Sequence, residues 1–141
     1  MTTERLYSVH DAATEQLVWS IRAFHAASWA ASISLASAAE GILRGEASSA
    51  RYDIFKSLIE TRGDEDARRS KPNDAIQWLR HAGPRGAAKE WGPDDAALWI
   101  TGAITQMMEA FPDQPLPPAA REFWLEQDVR LRSGPGNGCS R

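Results

Sequence analysis

The sequence predicts an all-α protein, a single bundle of five or six helices over residues 1–132. Two observations carry this. Apolar residues recur at three- and four-residue spacing along most of the chain, and no run of β-branched residues alternates at period two over the length of a strand. A chain of 141 residues, 43% hydrophobic and 25% charged, suits one core and leaves little room for two.

The first helix is expected over Val9–His25. Ala13, Leu17, Ile21 and Phe24 form one stripe, with Asp11, Glu15 and Arg22 on another side. Trp19 projects away from that stripe. The second helix is expected over Ser28–Arg44, with Ser28 as its N-cap and Gly45 as a left-handed C-terminal residue. Leu35, Ile42 and several alanines cover one side of it. Trp29, Ile33, Ala36 and Leu43 cover another, so this helix is expected at the centre of the bundle.

A third helix is expected over Ser48–Thr61, with Tyr52, Phe55, Leu58 and Ile59 inward, and then a charged connector over Gly63–Lys71. A short helix follows over Pro72–Ala82, stopped by Gly83-Pro84. After a loop to Gly92, Pro93-Asp94-Asp95 opens a helix that runs to Phe111: proline suits the first turn, and carboxylates suit the N-terminal dipole. Its expected inner stripe is Ala97, Ile100, Ile104, Met107, Met108 and Phe111. A rigid connector, Pro112–Pro118, leads to a last helix over Ala119–Leu131. Residues 133–141, rich in Gly and Ser, read as a disordered tail.

Several chemistries find no support. Cys139 is the lone cysteine, which excludes an intrachain disulfide and a zinc site with two thiolates. His10, His25 and His81 lack metal-ligand spacing, so no metal and no cofactor is expected. Gly83, Gly86 and Gly92 match no phosphate-binding loop. Glu122 and Glu126 read as a solvated face. Ala23–Ala39 carries no Asp, Glu, Lys or Arg but is Ala- and Ser-rich, so a buried helix is expected there and not a membrane span. Met1–Arg5 lack the features of a signal peptide, which makes the cytoplasm the expected compartment.

The short helix is the informative segment. At 100° per residue, Ala75, Trp78, Leu79 and Ala82 share one face, with Ile76 at its edge. Asn73, Asp74, Gln77, Arg80 and His81 share the other. Between Arg68 and Lys89 the chain carries about +5, while the whole carries −3. A basic segment on an acidic protein has two readings: solvated loop charges beside Asp64, Glu65 and Asp66, or a face for a nucleic acid or other phosphate-bearing ligand. The ligand face would use Asn73, Gln77, Arg80 and His81. Glu40 lies in the Trp29, Ile33, Leu43 stripe and also has two readings. It is either a supporting carboxylate paired with Arg22, Arg80 or His81, or a residue at the bundle edge that reaches water. Among the tryptophans, Trp19 and Trp99 lie at the edges of their stripes and are the interface candidates.

The stretch Ala31–Gly45 resembles an Ala-rich helix of a bacterial family of small helical proteins, and Gln77-Trp78-Leu79-Arg80-His81-Ala82 resembles that family's "NWLKHA" segment. The resemblance runs from Glu15 to Trp124. That family is similar in turn to HEPN domains, helical bundles that include metal-independent ribonucleases. The resemblance implies a HEPN-like fold, a homodimer, and His81 as the candidate catalytic residue, with an arginine upstream of it and four to six residues in between. Here Asp74, Ala75 and Ile76 stand at those upstream positions and Gln77 replaces the frequent asparagine, so the expected protein is catalytically degenerate. Arg5 and His10 satisfy the bare spacing only. A homodimeric interaction protein without a ligand is the alternative, and an active ribonuclease the second alternative.

Overall fold

The computed structural model describes residues 3–45, 76, 79–80 and 90–133, with residues 131–133 described by their backbone alone. The described residues are helical, with no strand among them: α1 Val9–His25, α2 Trp29–Leu43, α3 Pro93–Ala110 and α4 Pro118–Ser133. Ile76, Leu79 and Arg80 are also helical. The helix expected over Ser48–Thr61, the rest of the short helix and the tail from residue 134 lie outside the described residues. Among the described residues, no helix is long and apolar enough to cross a membrane.

α1 starts at Ser8, whose hydroxyl accepts from the Asp11 amide while the Asp11 carboxylate accepts from the Ser8 amide. This reciprocal cap satisfies two donors that the first turn cannot. Its expected stripe is inward, with Ala13, Leu17 and Ile21 buried and Phe24 packed on the core. α1 ends in a tight corner. The Ser28 amide donates to the Ala23 carbonyl and the Ala27 amide to the Phe24 carbonyl, which is the Schellman pattern. The pattern requires a left-handed residue, and Ala27 takes that conformation at φ 55°.

Two expectations at helix ends are corrected here. Ser28 flanks α2 but makes no side-chain cap, because its backbone (φ −91°, ψ 73°) is bent to close the corner. Gly45 is not left-handed, and Arg44 at the end of α2 keeps right-handed helical angles. The strained position is Ala27. A Cβ in the left-handed region costs about 1–2 kcal/mol, and glycine's extra freedom when unfolded offsets about half of that. Ala27→Gly is therefore expected to stabilise the protein by about 0.5–1 kcal/mol, read as a melting temperature raised by about 2–4 °C. A lowered melting temperature would contradict the corner as described.

The α1–α2 contact is the most extensive between helices among the described residues. At its centre the Ser20 hydroxyl donates to the Ser32 carbonyl at 2.6 Å, and the Ser32 hydroxyl donates to the Ser20 carbonyl at 2.9 Å. A serine side chain is short, so these bonds require closely approaching backbones. α2 buries Ile33, Ala36, Ala39 and Leu43, the side that holds Trp29, while Ile42 faces outward. α3 opens with Pro93 in its first turn, and Asp95 accepts from the Gly92 amide at 2.9 Å. The end of α3 lies beside the start of α1, where Phe111 meets His10 edge-on at 4.9 Å. α4 returns along α3, bringing Arg130 to 3.5 Å from Asp94. It inserts Phe123 into the core against Phe24 at 5.2 Å.

Candidate functional site

Of the five expected ligand-face residues, the structure describes Arg80 and Glu40; Asn73, Gln77 and His81 lie outside the described residues. Arg80 is exposed, while Ile76 and Leu79 are packed against the core. The three fall on the sides that the helical wheel assigns to them.

Glu40 is 3% exposed, in the buried stripe of α2. Its partner is Arg44, one turn later. The Arg44 guanidinium donates from Nη2 to Oε1 at 2.9 Å and to Oε2 at 3.1 Å, and from Nε to Oε1 at 3.1 Å. This corrects the expected pairing with Arg22 or Arg80, and also the alternative of a carboxylate reaching water; the third expected partner, His81, lies outside the described residues. Arg22 is engaged elsewhere, 4.7 Å over the Trp19 ring. The reason is local: an acid followed four residues later by a base brings both onto one helix face without help from the fold. Burial pushes the Glu40 carboxyl above the usual glutamate range, and the Arg44 guanidinium opposes that rise. The arginine itself is half exposed. Glu40 therefore holds an arginine at the edge of the bundle while its own oxygens stay inside.

The bare Arg5 and His10 spacing does not produce a common site. Arg5 lies 3.7 Å from Glu15 and 4.8 Å over the Tyr7 ring, while His10 turns its ring to Phe111. His25 is exposed and stacks edge-on against Phe24. Among the described residues, no three of His, Cys, Asp or Glu are grouped so as to hold a metal ion. Trp19 is 52% exposed, as expected of an interface candidate, whereas Trp99 is only 8% exposed and belongs to the core. Trp99 is inward because α3 is buried over a wide arc. Ala96, Ala103 and Gln106 share its side, while Ala97, Ile100, Ile104 and Met107 form the neighbouring one.

Sequence reasoning missed four buried polar residues, Ser20, Ser32, Ser37 and Gln106. Ser20 and Ser32 form the α1–α2 seam described above. Gln106 is 1% exposed, and neither atom of its side-chain amide has a hydrogen-bond partner among the described residues. Its signal was present, since Gln106 recurs at helical spacing after Trp99 and Ala103 on an apolar helix. No protein-family model, no curated protein and no solved structure matches this chain.

Proposed function

We propose that the chain is a HEPN-like, catalytically degenerate helical protein that binds an anionic ligand through the basic segment around Arg80, with single-stranded nucleic acid the first candidate. The observation that supports this best is the orientation at the one described stretch of that segment: Ile76 and Leu79 are held by the core while Arg80 is exposed. The surplus of about five positive charges between Arg68 and Lys89 supplies the attraction. Asn73, Gln77 and His81 share the Arg80 side of the wheel. Glu40 is buried behind its arginine and supports the reading only from within the bundle.

The test is fluorescence polarisation of a labelled single-stranded RNA with the full chain, at low and high salt. Binding should weaken steeply as salt rises. Arg80→Ala should weaken it about fivefold at low salt and lower the salt slope by about one. Binding that ignores both salt and the Arg80→Ala, His81→Ala variants would overturn the proposal. RNA cleavage in EDTA that is lost in His81→Ala would replace it with the metal-independent ribonuclease reading. A second reading, a homodimeric interaction protein, is favoured by the exposed Trp19 ring and the guanidinium of Arg22 over it.

A further inference from the structure

α1 has a second stripe on the side away from the core. Ala12, Glu15, Trp19 and Arg22 follow one another at three- and four-residue steps, so they lie along one side of the helix, and Ala26, the residue that caps its C-terminal end, comes four residues after Arg22. Ala12 is half-buried, and the other four are exposed. The Trp19 ring is steadied by the Arg22 guanidinium at 4.7 Å. The order along the stripe is small, acidic, aromatic, basic, small.

We propose that this stripe is the docking surface for a second copy of the chain, α1 against α1, antiparallel about a two-fold axis at Trp19. The inference rests on the homodimeric reading and says where that dimer forms. A two-fold contact is self-complementary: if one residue meets another, the second meets the first. An axis at Trp19 sets the ring against its own counterpart and Ala12 opposite the partner's Ala26. It places Glu15 one residue out of register with the partner's Arg22, within reach of its long side chain. A parallel arrangement would set Glu15 on the partner's Glu15 and the two arginines on each other. The charge order is thus complementary to itself in one direction only. The small residues at both ends let the helices approach, and the centre carries tryptophan and arginine, the types that dominate binding energy at interfaces. Glu15 already lies 3.7 Å from Arg5, but both are well exposed, so that pair yields readily to a better one.

The test is sedimentation of the full chain over a range of concentrations, with circular dichroism as the control for folding. The wild type should dimerise. Trp19→Ala should weaken the dimer by about thirtyfold while leaving the helical signal intact. Glu15→Arg and Arg22→Glu should each weaken it, and the double variant Glu15→Arg/Arg22→Glu should restore it, because the exchanged order is again self-complementary. A wild type that stays monomeric would overturn both this surface and the homodimeric reading. A dimer indifferent to Trp19→Ala would overturn the surface alone, and failure of the double variant to recover would overturn the antiparallel register.

Discussion

Phe123→Ala is expected to destabilise the protein by about 3–5 kcal/mol, the largest effect of any single truncation considered. The size follows from how α4 is attached. Among its described side chains the buried apolar ones are Ala120 and Phe123, while Trp124, Leu125 and Val129 are exposed. The ion pair between Arg130 and Asp94, 3.5 Å apart and open to water, adds little. Phe123 meets Phe24 edge-on at 5.2 Å, and Phe24 meets Trp29 at 5.4 Å, so one chain of rings ties α4 to α1 and to the start of α2. Deleting the first ring removes its own burial, its contact with Phe24, and packing that its neighbours cannot close. Leu125→Ala, at a position 57% exposed, should stay within about 0.5 kcal/mol of wild type. Urea denaturation followed by circular dichroism distinguishes them. A Phe123→Ala midpoint equal to that of Leu125→Ala would show that α4 is not held in this way.

α1 and α3 were largely legible because each has apolar residues at helical spacing against polar ones elsewhere, and burial follows that contrast. Ala13, Leu17 and Ile21 are inward for this reason, as are Ile100, Ile104 and Met107. α2 was legible as a helix but not in orientation, since it is apolar or small on nearly every side. What orients it is the reciprocal pair Ser20 and Ser32, a contact between residues twelve apart with no local signal. The corner at Ala27 was illegible because its residue is one that ordinarily avoids the left-handed region, and glycine at 45 pointed to the wrong place. At the site, the positive charge of the segment around Arg80 is a matter of counting, but its position in space is not. Glu40 is the instructive case. The apolar stripe marks it as anomalous, and the base that pairs with it is Arg44, the nearest at helical spacing, so its partner is local and not brought in by the fold.

That pair carries the second large effect. Arg44→Ala is expected to destabilise the protein at about pH 7 by about 1–3 kcal/mol, less than for a fully buried ion pair because the arginine is half exposed. The pH dependence follows from the direction of the Glu40 shift. Its folded carboxyl sits above the ordinary value of 4.5, so the folded state holds that proton more tightly than the unfolded one. Its contribution to stability is then complete below the ordinary value and is lost as pH rises towards the raised one. Removing Arg44 removes the influence that opposes the rise, so the raised value climbs and the loss extends to higher pH. Arg44→Ala should therefore be markedly more damaging at about pH 7 than at about pH 3.5, well below the ordinary value, where the folded Glu40 carboxyl is protonated with or without its arginine. Placing Arg44→Ala in a Glu40→Gln background should flatten that difference, since glutamine cannot ionise, and the remainder measures whatever else Arg44 touches. Urea midpoints of the four proteins at the two pH values decide the matter. A penalty for Arg44→Ala that is the same at both would mean that the Glu40 carboxylate is not the group that needs the arginine.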